Sequence, residues 1–87
     1  MKYFKMGEEV LVSAFVHPRY IDGYRKWVTI PIPEQKAFYV GYAHKHEGRL
    51  LDHKLVQIKT IKVLRIKFAD WRNDEFALLQ DVRRIRK

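Results

Sequence analysis

The stretch VLRIKFADWRNDEFALLQDVRRIRK, from Val63 to Lys87, constrains the fold of this chain more than any other. Apolar and basic residues alternate strictly over its positions Leu64–Phe68. A period of two is typical of a half-buried β-strand, and β-branched residues extend the predicted strand over 55–68. Ile61 and Val63 have the opposite parity, which predicts a bulge near Val63 and Leu64.

Two interpretations compete for the residues after Asp70. In the first, Asn73 caps a helix over 74–86 that starts with acidic residues and ends with basic ones, as the helix dipole favours. In the second, the chain forms a hairpin and then a last short strand. Its parts are a turn at Asp70–Asp74, a strand at Glu75–Leu79, a helical turn at Gln80–Val82 and a strand at Arg83–Ile85.

The few glycines and prolines divide the rest of the chain. Apolar or β-branched composition predicts strands at Val10–Val16, Trp27–Ile30 and Ala37–Ala43. We expect a long loop or irregular hairpin at His17–Lys26, an end to the second strand at Pro31 and Pro33, a turn at Glu47-Gly48 and a possible helical turn at Leu50–Lys54.

The order GEEVLVSA, AFYVGYA and VLRIKFADWRNDEFALLQDVRRI resembles SH3-like and Tudor-type small barrels. The same stretch looks like small uncharacterised phage proteins with this barrel. The resemblance implies a mainly β fold, a five-stranded SH3-like barrel with a short helical turn before the last strand; the alternative is an α+β fold with the helix over 74–86. Two departures stand out: Gln80 replaces the usual corner proline, and the insert His17–Lys36 is longer than a minimal first loop.

Size and composition predict one small domain over residues 1–87. The chain has no cysteine, which excludes a disulfide scaffold and a thiolate zinc site. No apolar run approaches the roughly 20 residues of a membrane span, and no signal segment is visible. We therefore expect a soluble protein without a membrane partner in the cytoplasm, which is the host cytoplasm if a phage encodes it.

The net charge of +8 favours an anionic partner, either nucleic acid or an acidic protein surface. Basic and aromatic residues interleave beside the predicted first loop, which flanks the binding groove in SH3-like barrels. Lys and Arg would neutralise phosphates while aromatic rings stack on unpaired bases; the same mixture would also anchor a protein, or cover one end of the barrel. The candidate binding residues are Arg19, Tyr20, Tyr24, Arg25, Lys26, Trp27, Arg65, Lys67, Arg84 and Arg86.

Catalytic and cofactor signatures are missing from the sequence. Ser13 is the only serine and lies within a predicted strand, and there is no phosphate-binding glycine loop. His44, His46 and His53 with Glu47 could hold a metal, but the cations around them oppose it, so we expect neither metal nor cofactor. The sequence predicts a non-enzymatic module that binds nucleic acid with low sequence specificity; the alternatives are a phage-encoded protein-interaction module and a structural subunit of an assembly.

Overall fold

A computed structural model describes residues 4–85 of the chain, except for the side chain of residue 57. Its elements are strands β1 (Glu9–Ile21), β2 (Tyr24–Leu51), β3 (Lys54–Lys67), β4 (Glu75–Ala77) and β5 (Val82–Arg84), with a 3-10 turn at Leu79–Asp81 before β5. The described chain is therefore mostly β, and none of its helical structure is long enough to cross a membrane.

The strands form one antiparallel sheet that curves into a partial ring. β1 pairs with β2, β4 and β5, and β3 pairs with β2 and β4. The long strand β2 pairs with β1 over its first half and with β3 over its second. Its 28 residues would extend roughly 90 Å if straight, whereas the molecule is 50 Å long, so β2 bends back on itself.

The core lies inside this curved sheet. Alternate residues of β1 point inward, and its Val10 and Val12 are fully buried beside Leu64 and Ile66 of β3. Phe68 closes the core where β3 ends, and its ring lies 4.5 Å from the ring of Trp71. Burial of such side chains contributes about 1.5–3 kcal/mol each, so this core is the main source of stability.

The expected loop at His17–Lys26 is a regular hairpin instead. β1 continues to Ile21 and β2 begins at Tyr24, with Asp22 and Gly23 as the only turn residues. Both have positive φ, 49° and 73°, as in a type I′ turn, whose twist matches that of the flanking strands. The Asp-Gly pair therefore closes a tight hairpin where the interpretation from composition placed a loop.

The second hairpin turns later than the sequence predicted. Glu47 and Gly48 lie inside β2 and are buried, so the turn expected there is wrong, as is the helical turn at Leu50–Lys54. The chain reverses at Asp52 and His53, which have φ of 48° and 63°. Because a histidine rather than a glycine takes this positive φ, the sequence has no Asp-Gly pair that would predict a turn here.

The prolines and the bulge also differ from expectation. β2 runs through Pro31 and Pro33, where Pro31 pairs with Ala14 next to a register shift in β1. That irregularity tolerates a residue without an amide hydrogen. No shift occurs near Val63. One extra residue is on β2, between Tyr39 and Gly41, and another is on β3, opposite the step from Glu47 to Arg49.

The residues after Asp70 follow the hairpin interpretation rather than the helical one. β4, the 3-10 turn and β5 occupy 75–84, and no helix forms over the described part of 74–86. The Ser13 hydroxyl donates to the backbone carbonyl of Asp81, 3.3 Å away, and connects the 3-10 turn to β1. Arg86 and Lys87 lie outside the described residues.

The molecule has two parts along its long axis. Residues 4–16, 30–42 and 63–85 contain most of the core, and we call them the base. Residues 17–29 and 43–62 are the two hairpins that project from it, and we call them the arm. The arm accounts for the elongated dimensions of 50 × 27 × 21 Å.

Candidate nucleic-acid interface

The positive charge of the described chain is concentrated on the arm. The base contains seven Lys and Arg and seven Asp and Glu, so its formal charge is zero. The arm contains eight Lys and Arg against three Asp and Glu, together with all four histidines. The arm therefore has the excess positive charge of the described chain, whereas the formal charges of the base cancel.

Three arginines of the base form ion pairs with carboxylates. Arg65 Nη2 lies 2.7 Å from Asp74 Oδ2. Arg83 donates twice to Glu34, at 2.9 and 2.7 Å, and these hydrogen bonds lower the pKa of Glu34 and raise that of Arg83.

Arg84 shows the same pattern at the other edge of β5. Its Nε donates to Glu8 Oε2 at 2.8 Å. The pKa of Glu8 is lowered, first by the hydrogen bond from the Lys5 backbone and then by the one from Arg84. Arg65 and Arg84 are thus neutralised locally, which weakens the prediction that they bind an anion. Lys67 is exposed on the base, away from the arm.

Two candidate residues hold the two hairpins of the arm together. Trp27 Nε1 and Arg25 Nε both donate to the backbone carbonyl of His46, each at 3.1 Å. The Trp27 backbone amide donates to Glu47 Oε2 at 2.8 Å, and the Leu50 amide donates to Gly23 O at 2.7 Å. We call this contact between the two ends of β2 the seam. Trp27 and Arg25 have a structural role there, one that sequence reasoning did not predict.

Three other candidates share one face of the first hairpin. Arg19 is directly opposite Lys26, and Ile21 is opposite Tyr24 two residues further along. Cross-strand partners project on the same side of a sheet, as do residues two apart in a strand. Like charges placed opposite each other destabilise a hairpin, so folding stability does not account for the Arg19–Lys26 pair.

This face continues into a groove across the seam. Ile21, Tyr24, Lys26, Glu47 and Lys59 line a space of about 470 Å³. Lys59 is the register partner of Glu47 on β3, so cations from both hairpins flank the buried carboxylate. Of the remaining candidates, Tyr20 is 60% exposed and opposite Arg25, and Arg86 lies outside the described residues.

Sequence reasoning missed the groove because it treated the two hairpins separately. Lys59 is not among the candidate binding residues predicted from the sequence, and the sequence places Glu47 in a turn or a metal site. The Asp22-Gly23 pair was the available signal, since a two-residue turn places Lys26 opposite Arg19. The proximity of Lys26 and Lys59 depends on the bend in β2, which has no local signal.

The histidines do not form a metal centre within the described part of the chain, where no cluster of three or more His, Asp or Glu is suited to hold an ion. His46 Nδ1 lies 3.0 Å from Thr60 Oγ1. The His44 ring packs edge-on against Tyr42, and His53 is in the hairpin turn. His44, His46 and His53 thus have separate surroundings and do not converge on one point.

Comparison of the chain with protein-family models, with curated proteins and with solved structures gives no match. The resemblance to SH3-like barrels and to phage proteins therefore remains a prediction from the sequence.

Proposed function

We propose that this protein is a non-enzymatic module that binds nucleic acid through the arm, mainly by contacts with the phosphate backbone. The observation that carries this proposal is the concentration of charge, with a neutral base and an arm of net charge +5 in which Arg19 and Lys26 are directly opposite each other. Neutralisation of phosphates by Lys and Arg releases counterions and gives affinity without sequence readout.

The tips of the arm favour contact along its face. Each hairpin turn contains an aspartate, Asp22 in one and Asp52 in the other, which would repel phosphates. The nucleic acid is therefore expected to lie across the Arg19–Lys26 face, not to receive the tip.

The test compares two triple variants that remove the same charge. Arg19→Ala/Lys26→Ala/Lys59→Ala alters the arm, and Lys36→Ala/Lys67→Ala/Arg72→Ala removes one arginine and two lysines from the base. Fluorescence anisotropy with labelled single-stranded and duplex DNA and RNA, at about 50 and 200 mM salt, measures each Kd. We expect the arm variant to bind at least tenfold more weakly and the base variant to stay within about threefold of wild type.

The slope of log Kd against log salt concentration is a second, independent measure of the phosphate contacts. Each lost phosphate contact lowers the log–log slope by about 0.7 on single strands and 0.9 on duplex DNA, so the arm variant should lose about two units and the base variant far less. Equal weakening of both variants, or no binding by the wild type at about 50 mM salt, would refute the proposal.

A second candidate function is protein interaction, as a phage-encoded modulator of a host or phage complex or as a subunit of an assembly. It is favoured by four large apolar side chains of the arm that are more than half exposed: Tyr20 60%, Ile21 51%, Leu51 54% and Ile58 55%. Such side chains are typical anchors at the centre of an interface. This candidate predicts a partner with an acidic or apolar groove, and binding that depends on salt less than binding to phosphates does.

We also propose that the base is an SH3-like five-stranded barrel. Support comes from the pairing of β1 with both β2 and β5 and from the 3-10 turn before β5. In a closed barrel, the amides of β1, β3 and β4 would exchange with solvent as one cooperative unit. Independent exchange of β4 would contradict closure.

A further inference from the structure

The groove across the seam contains more than cations. Tyr24 and Ile21 give it an aromatic and apolar wall, Lys26 and Lys59 give it two ammonium groups, and Glu47 gives it a carboxylate. Its volume of about 470 Å³ lies within the range of about 300–1,000 Å³ found for small-ligand pockets. The carboxylate already accepts the Trp27 amide hydrogen in the seam, and it also places a hydrogen-bond acceptor in a groove that is otherwise cationic and apolar.

Glu47 is held in place by the fold. Its side chain is 7% exposed, and its Oε2 accepts the Trp27 amide hydrogen at 2.8 Å. Within the described part of the chain its Oε1 makes no hydrogen bond and, unlike Asp81 Oδ2, is not sealed from solvent. A fixed acceptor therefore remains available between the two lysines.

On the basis of the proposed function, we infer that this groove takes one unpaired nucleobase and that Glu47 selects guanine. Guanine carries two adjacent donors, N1–H and N2–H₂, on its Watson–Crick edge, and a carboxylate is an acceptor only. Thymine and uracil carry one donor between two carbonyl oxygens, which a carboxylate repels. In a duplex this edge is already paired, so the groove selects single strands.

The rest of the groove fits the same ligand. The Tyr24 ring offers a stacking surface for the base, as aromatic residues do in single-strand binding proteins. Lys26 and Lys59 flank Glu47 and are placed to contact the phosphates on either side of the base. The aromatic ring, the carboxylate and the two ammonium groups would thus contact the face of the base, its Watson–Crick edge and the phosphates, respectively.

The experiment uses three labelled DNA single strands of equal length: all thymine, thymine with one central guanine, and thymine with one central inosine. Inosine retains N1–H and lacks the N2 amino group. Anisotropy on the wild-type protein should give about 5- to 150-fold tighter binding for the guanine strand than for the all-thymine strand, the range expected for one good bidentate base contact. The inosine strand should fall between them.

The variant Glu47→Gln isolates the carboxylate. A glutamine carbonyl still accepts the Trp27 amide hydrogen, while its amino group replaces the second acceptor oxygen. The guanine preference should drop to less than twofold, and affinity for the all-thymine strand should be kept or increased because a negative charge is gone. Circular dichroism and Tm check that the variant is folded.

The outcomes separate the two proposals. Salt-dependent binding with equal affinity for all three strands would overturn the role of Glu47 and leave the arm as a nucleic-acid interface. A guanine preference that survives in folded Glu47→Gln would also overturn it. If the variant does not fold, the inosine comparison on wild type still decides, since equal affinity for inosine and guanine excludes the two-donor contact. No binding to any strand would refute the proposed function itself.

Discussion

At the scale of single residues, backbone conformation and the surroundings of carboxylates decide what each position contributes. His53 has a φ of 63° in the second hairpin turn, a region in which a side chain costs roughly 1–2 kcal/mol. The equivalent position of the first turn is Gly23, with φ 73°. The two turns thus both require a positive φ at this position, which glycine adopts readily and histidine does not.

His53→Gly should stabilise the protein. Relief of the left-handed conformation exceeds the added entropy of the unfolded chain, with a net gain of about 0.5–1 kcal/mol. Thermal unfolding should show a Tm higher by about 2–8 °C. Gly23→Ala is the reciprocal control. An added Cβ would meet only Leu50 O at 3.9 Å, so its expected loss of about 1 kcal/mol is conformational and not steric. An unchanged Tm for His53→Gly would contradict the turn assignment.

The carboxylates predict opposite pH dependences at two positions. The hydrogen bonds from Arg83 lower the pKa of Glu34 below its ordinary value of 4.5, so Glu34 stabilises the fold at neutral pH and this stabilisation is lost as the pH falls through the lowered pKa. Glu34→Gln should therefore be less stable than wild type at pH 7, and the difference should close as the pH falls below 4.5 and through the lowered pKa. Urea unfolding at a series of pH values measures it.

Glu75 provides the contrast. Burial raises its pKa above 4.5, so its charged form is disfavoured in the folded state and the protein loses stability as the pH rises through that pKa. Glu75→Gln should be more stable than wild type at pH 7 and no more stable at pH 4. If both substitutions shifted stability in the same direction at pH 7, the surroundings assigned to these two carboxylates would be wrong.

At the scale of elements, the seam is the least expected contact. Strand composition predicted the first half of β1, nearly all of β3 and the hairpin near the end of the chain, since burial on alternate positions leaves a direct pattern. It did not predict that β2 would run through Pro31, Pro33 and Gly48, because local propensity treats proline and glycine as residues that end a strand. In this fold, register shifts and long-range pairing accommodate them within β2. The groove was therefore not predicted either, because it forms only where β2 bends back.

Trp27→Phe should loosen the seam without unfolding the base. It removes the Nε1–H donated to the His46 carbonyl, a loss of about 0.5–1.5 kcal/mol, while Arg25 keeps its bond to the same oxygen. Hydrogen exchange of the Leu50 amide, which donates to Gly23 O across the seam, should become several-fold faster. Amides of the core strands, such as that of Val12, should keep their protection. Unchanged exchange at Leu50 would show that Trp27 does not hold the hairpins together.

At the scale of the whole molecule, charge and shape are divided between the two parts. Among the described residues, the base has the core, the ion pairs and no net charge, whereas the arm has the excess cations and the histidines. A total charge of +8 could be read from the sequence, but its distribution depends on which arginines meet carboxylates in the folded chain. Arg83 and Glu34 are 49 positions apart, a separation that local patterns do not encode.

Nucleic acid should bind the arm and not the base, and a titration followed by NMR distinguishes these two surfaces residue by residue. Single-stranded DNA is added to ¹⁵N-labelled protein at about 50 mM salt and the backbone amide shifts are followed. We expect shifts within 17–29 and 43–62, largest around Lys26 and Lys59, that reverse as salt is raised. Shifts centred on Arg65, Arg83 and Arg84 in the base, or no shifts at all, would contradict it.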